Sequence, residues 1–306
     1  MKKILLLLSF FAILQAVYAQ DEAIFTHYHI TPILINPAAA GFNDTYQVQF
    51  NGRAQWTGFP DAPQTVGAML NGPVGKTFGI GIGVSAENAA QLTRLKGQLN
   101  WAFRFNLSEY VKMSAGFSAI YQQFKLNNGF DMDRLQLGDN VIDDYMDGVS
   151  EFDASVGVFG SIREDTRFGL AFSNLIQSRL DDVIESTDQS ALQHYTLFLA
   201  HRFQIYDLNF SLEPSLMARN VKDAPSQVDI NLKAAFLDEQ LITGLSYRSL
   251  GALGILLGAK LTNFHVYYSY DMSFQRFQKF NSGSHEISIL LDLVKKTTIG
   301  GQRSNQ

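Results

Sequence analysis

The chain has 306 residues, of which 17% are charged, where an ordinary globular domain carries roughly 25%. It contains 24 Phe, 12 Tyr and no Cys, so a disulfide framework, a Cys-containing zinc site and a cysteine nucleophile are excluded. The formal net charge of -5, with no basic cluster, argues against a nucleic-acid partner.

Residues 1–19 read as a secretory signal peptide. Lys2 and Lys3 precede an apolar run, and Val17-Tyr18-Ala19 offers small-residue cleavage spacing before Gln20. Residues 20–43 follow as an apolar, Pro-punctuated segment, expected to be a periplasmic plug or collar because Ile30, Ile33, Leu34 and Ile35 are costly to leave in water. Within it, His27 and His29 share one face if the chain is extended, but no third ligand is placed by spacing, and no metal is assigned.

From residue 44 the pattern changes to period-2 alternation. In Leu99-Asn100-Trp101-Ala102-Phe103-Arg104-Phe105 the large apolar residues share one face. The same pattern recurs at Val228–Phe236, Phe264–Phe274 and Ile287–Leu293. The expected strands are 45–56, 63–72, 76–86, 91–107, 109–126, 151–162, 166–178, 191–204, 207–220, 227–237, 240–249, 252–261, 263–273 and 284–293. These make an all-β, antiparallel, fourteen-stranded transmembrane barrel over 44–293, an even number as a single-chain outer-membrane barrel requires. The longest apolar run of the mature chain, Leu250 to Ala259, is about half of the roughly 20 residues a spanning helix needs, so a closed barrel is the available route through a bilayer. A soluble β-sandwich also alternates, but it has fewer strands and a more charged exterior.

Links after even-numbered strands are short and most others are longer, which places the short turns in the periplasm and the long loops outside. Trp56, Tyr110, Tyr121, Tyr195 and Tyr206 fall near strand ends, where interfacial aromatics belong.

Gly79-Ile80-Gly81-Ile82-Gly83 lacks the spacing of a dinucleotide loop and has no helix behind it. Its glycines are expected on an inward face, admitting curvature or a packed plug. Gly72-Pro73-Val74-Gly75-Lys76-Thr77 is too short for a phosphate loop and reads as a turn. Arg94, Arg104, Glu213, Lys233, His265 and Asp271 fall on lumen faces and are expected to pair or face water.

Two acidic stretches lie in the external set of loops. Asp131, Asp133, Asp139, Asp143, Asp144 and Asp147 occupy 127–150, and Asp181, Asp182 and Glu185 occupy 179–190. Tyr145 and Ala154 stand where a calcium loop needs ligands, so these carboxylates are assigned to a solvated surface that meets a partner. No nucleophile elbow or paired-carboxylate arrangement is present, so neither an enzymatic activity nor a cofactor is assigned. Residues 294–306 form a C-terminal tail, expected in the periplasm.

The segment from Phe25 to Gly41, with Pro32, Asn36, Pro37, Ala38 and Gly41 at its sharp motif, resembles the start of PorP/SprF-type proteins of the type IX secretion and gliding machinery. The resemblance implies a non-enzymatic outer-membrane barrel. It implies as partners outer-membrane lipid and a secreted adhesin or other substrate with a type B C-terminal domain. For some members it also implies periplasmic lipoproteins of the machinery. A general or substrate-selective porin is the alternative.

Overall fold

Alternating strands, each with one apolar and one polar face, close on themselves in a computed structural model that describes residues 25–127, 140–176, 178–179, 194–221, 225–274 and 282–293. The strands are β1 (Tyr46–Ala54), β2 (Gln64–Val74), β3 (Phe78–Ala89), β4 (Leu92–Asn106), β5 (Val111–Leu126), β6 (Val149–Ile162) and β7 (Thr166–Phe172, resumed at Ser178–Arg179). They continue as β8 (Tyr195–His201 and Phe203–Ile205), β9 (Phe210–Asn220), β10 (Gln227–Phe236), β11 (Leu241–Arg248), β12 (Ala252–Leu261), β13 (Phe264–Ser273) and β14 (Ser284–Leu293). Each pairs antiparallel with its neighbours in sequence. Pairing of β14 with β1, from Tyr46 opposite Leu293 to Ala54 opposite His285, closes a fourteen-stranded barrel and leaves no sheet edge.

Two strands are interrupted for different reasons. The break at Arg202 in β8 leaves the register to β9 unchanged, with Ser215 opposite Ala200 and Leu212 opposite Phe203. It lies beside Pro214, which has no N–H to give to the ladder. In β7 the register against β6 slips by two residues between Phe172, opposite Val156, and Arg179, opposite Glu151. Asp153 tethers the excursion by accepting from the Ile176 N–H at 3.2 Å.

Three expectations need correction. Gly72, Pro73 and Val74 belong to β2, and the turn is confined to 75–77. The connection after β3 is tight, because the strand runs on to Ala89 and Ala90 takes a positive φ. Part of the acidic stretch 127–150 is helical, as α1 (Asn140–Asp147).

The outward face carries exposed Phe50, Ile82, Leu99, Phe117, Leu197, Ile230 and Ile255, the apolar band that meets lipid. Tyr110 and Tyr206 are exposed at one end of the barrel, Tyr121 and Tyr195 toward the other. The first end, with turns such as 75–77, 163–165 and 262–263, is the short-turn end. The second, with 55–63, 127–148 and 274–283, is the long-loop end. No helix among the described residues is long and apolar enough to cross a membrane.

A barrel of about eight strands is filled by its own side chains, whereas one of 16–18 leaves an aqueous channel. At fourteen strands the wall cannot fill the lumen alone. Residues 25–43 lie inside it, with Tyr28, Ile33, Ala38, Ala39, Ala40 and Phe42 buried against Met69, Ala102, Phe159, Phe198, Ala200 and Met217 of the wall.

Candidate functional site: a lumen occupied by the chain's own segment

The segment is built from short 3-10 turns, because its prolines fix φ and remove donors a longer helix would need. Thr26–His29 forms the first turn, so the two histidines do not lie on an extended face. Pro32 and Pro37 each open a further turn, Pro32–Leu34 and Pro37–Ala39. Asn36 caps the latter: its Oδ1 accepts from the Ala38 N–H at 3.0 Å while Nδ2 donates to the Val158 carbonyl of β6 at 2.9 Å. One side chain thus ends a turn and ties it to the wall.

Close approach requires small wall residues. A Cβ on Gly79 would collide with the Ala40 carbonyl, and Gly81 and Gly83 leave room for Ile33 and Met69. Gly41 has φ +62°, and a Cβ there would stand 2.5 Å from the Gly72 oxygen.

Charged groups on the inner wall grip the segment at three levels. Near the long-loop end Glu286 of β14 accepts from the Thr26 N–H at 2.8 Å, the Thr26 hydroxyl at 2.9 Å and the His27 N–H at 3.1 Å. Its charge is balanced by Arg53 of β1 at 2.9 Å, which also pairs with Asp271 of β13 at 3.1 Å. Arg248 continues the chain, from Asp271 at 3.4 Å to Asp229 at 3.2 Å. The Tyr28 hydroxyl donates to Asp229 and accepts from Asn231, each at 3.1 Å. Midway, Arg167 donates to the His29 carbonyl at 3.4 Å and is held by Glu213 at 2.7 Å, which also pairs with Lys233 at 2.9 Å. At the short-turn end Arg104 donates to the Gly41 carbonyl and Lys112 to the Phe42 carbonyl, each at 2.6 Å, and both pair with Asp44. Burial raises the Asp44 carboxyl, but the Lys112 and Arg104 hydrogen bonds and charges outweigh it and leave the group below the usual range.

The two histidines are enclosed. His27 Nδ1 shares a 2.6 Å hydrogen bond with the Ser288 hydroxyl, and His29 Nδ1–H donates to the Thr26 carbonyl at 3.0 Å. Burial lowers both below the usual imidazole value; Glu286 opposes this at His27, and Lys233 adds to it at His29, which falls to about 3. Each is neutral in the folded chain and protonates near 6.5 once unpacked. The His29 contribution to segment docking is therefore complete above pH 6.5 and is lost as pH falls from there toward about 3, and the lowered His27 acts in the same direction. Amide exchange of residues 26–31 is expected to accelerate between pH 7 and pH 5; exchange independent of pH, after correction for intrinsic rates, contradicts this.

The long-loop half of the lumen is less filled. A cavity of about 160 Å³ lies above Ile33–Pro37, and a second of about 230 Å³ lies beside Thr26 and Tyr28. Phe25, Glu87 and Arg219 line both.

The motif residues Pro32, Asn36, Pro37, Ala38 and Gly41 come together in the lumen. Of the acidic residues, Asp143, Asp144 and Asp147 fall in α1, where Asp144 and Asp147 are exposed. Asp131, Asp133, Asp139, Asp181, Asp182 and Glu185 lie outside the described residues, as do 1–24 and 294–306. The lumen-face residues all point inward and are paired: Arg94 with Glu87, Arg104 with Asp44, Glu213 with Lys233, His265 with Asp292 and Asp271 with Arg53. Sequence reading missed Glu286, Arg53, Asp229 and Arg248. Their signal is a charge at an inward position of an alternating strand, which identifies a lumen residue but not its partner.

A family model described as "Type IX secretion system membrane protein PorP/SprF" matches residues 17–291. No curated protein matches. Among solved structures, the toluene transporter TbuX of Ralstonia pickettii aligns with a TM-score of 0.51 and 10% identity, over 84% of this chain and 91% of that one. The CymD monoaromatic hydrocarbon channel aligns with a TM-score of 0.51 and 11% identity, over 88% and 93%. At such identity the likeness is one of fold. The family and the closed barrel together place the chain in the outer membrane.

Proposed function

The chain belongs to the PorP/SprF family of type IX secretion system membrane proteins, and from that premise we propose that it is a non-enzymatic carrier barrel. It binds a secreted surface protein bearing a type B C-terminal domain and helps export it or hold it at the cell surface. The observation that carries this reading is the occupied lumen. Residues 25–43 are gripped at three levels by buried charges and packed against wall glycines, an arrangement suited to a docking scaffold and poorly suited to passive diffusion. The long loops, with their acidic residues between 127 and 150 and between 179 and 190, face outward and meet the surface protein. The short turns and the C-terminal tail face the periplasm and the lipoproteins of the machinery. Residues 25–43 act as the plug.

Deleting the gene for this barrel tests the reading. One or more proteins with a type B C-terminal domain are expected to leave the cell surface, either retained in the periplasm or shed into the medium, and to return on complementation. An unchanged surface proteome contradicts it.

A further inference from the structure

The lumen segment has a direction. It leads into β1 at the short-turn end, and its residue numbers fall as it climbs the wall toward the long loops. A Cβ on Gly79 would meet the Ala40 carbonyl, and one on Gly81 would stand 2.7 Å from Ile33. One on Gly67, which lies opposite Ser85 further along β3, would stand 3.4 Å from the Phe25 ring. Phe25 therefore stands in the long-loop half, between two cavities, the second of which is bounded by Trp56 and Pro63 of the 55–63 loop. Behind it the segment fills the lumen, and around it the wall is closed by the pairing of β14 with β1. The chain that precedes Phe25 is left with one course, toward the long-loop mouth.

The sequence of that stretch fits the course. Gln20-Asp21-Glu22-Ala23-Ile24 puts its two apolar residues next to Phe25 and its polar ones farthest from it. Extended at roughly 3.4 Å per residue, five residues reach about 17 Å. Beside Phe25 the cavities offer Met69 and Met217 to an apolar neighbour. Charged groups on their lining are already engaged: Arg53 by Glu286 and Asp271, Asp229 by Arg248 and Glu87 by Arg94. Burying a further carboxylate among paired groups is costly, so Ala23 and Ile24 suit the interior, while Gln20, Asp21 and Glu22 keep their hydration at the mouth.

We propose that residues 20–24 occupy this vestibule, Ile24 and Ala23 inside and Gln20 at its outer mouth, so that after cleavage before Gln20 the mature N-terminus faces the cell exterior. The proposal rests on the orientation of the barrel and not on what the barrel carries. A short hydrophilic epitope placed between Asp21 and Glu22 is read with antibody, which does not cross the outer membrane, on intact and on permeabilised cells. The same epitope in the 55–63 loop, in a separate chain, reports which end of the barrel lies outside. The N-terminal epitope is expected to bind on intact cells as fully as after permeabilisation. Binding only after permeabilisation overturns the proposal, and the loop epitope then tells a flank turned back to the periplasm from a barrel set the other way up. Occupancy is read in the isolated barrel, which has no native Cys. Gln98→Cys, on the lining of the first cavity, is expected to react with a small maleimide at least an order of magnitude faster when residues 21–24 are deleted than in the full chain. Equal rates in the two chains, whether fast or slow, overturn the vestibule as the place of residues 20–24.

Discussion

Removing residues 25–43 is expected to convert a barrel that conducts little into one with discrete open-channel steps, at least an order of magnitude larger in planar bilayers. The segment contributes Tyr28, Ile33, Phe42 and three consecutive alanines to the interior, and the wall opposite has glycines where an empty barrel would need larger side chains. Without the segment, the space is bounded by Arg53, Arg104, Glu213, Lys233 and Glu286, all of which take water readily. Insertion of the deleted barrel must first be checked by its strand content and its resistance to protease. Conductance equal to that of the full chain, from a correctly inserted barrel, contradicts the role of the segment as the lumen's closure.

Replacing Glu286 by Ala is the single substitution expected to loosen the segment most. It strips an acceptor from the Thr26 and His27 N–H groups and the Thr26 hydroxyl, and leaves Arg53 with Asp271 alone. Breaking a buried ion pair from one side costs about 3–5 kcal/mol. The expected result is protease cleavage within residues 25–43 under conditions where the native barrel is intact, together with a lower unfolding midpoint. Adding Arg53→Met to the same chain should recover part of the loss, because a buried pair replaced by apolar groups costs far less than a buried charge left without its partner. A double variant as loose as the single one would show that Glu286 acts only through the groups of Thr26 and His27 that donate to it.

Much of this fold is legible in the sequence because lipid and lumen impose opposite demands on successive residues. Leu99, Trp101, Phe103 and Phe105 face outward while Asn100 and Arg104 are buried, so a run of seven residues declares both a strand and its orientation. The interruptions are harder to read. Pro214 and Arg202 lie on different strands, and only their register shows that one explains the other. The two-residue slip in β7 has no counterpart in local periodicity, and α1 is hidden in a stretch whose acidic composition reads as loop.

The site divides in the same way. Pro32, Pro37 and Gly41 declare their backbone preferences locally, and the turns opened by the two prolines follow from them. What Thr26 and His27 bind does not, since Glu286 stands some 260 residues away and enters only when β14 closes on β1. The glycines of β3 announce a close neighbour without naming it, and the structure supplies Ala40 and Ile33. In each case local chemistry sets the requirement, and barrel closure decides which residue meets it.

The carrier claim is tested most directly by a mild-detergent pull-down from native outer membranes, through a tag placed after Gln306, with mass spectrometry of what co-purifies. The account predicts a large secreted protein with a type B C-terminal domain in stable association with the barrel. Recovery of the barrel alone, accompanied by steady ion conductance of the full chain, would contradict it and identify a porin instead.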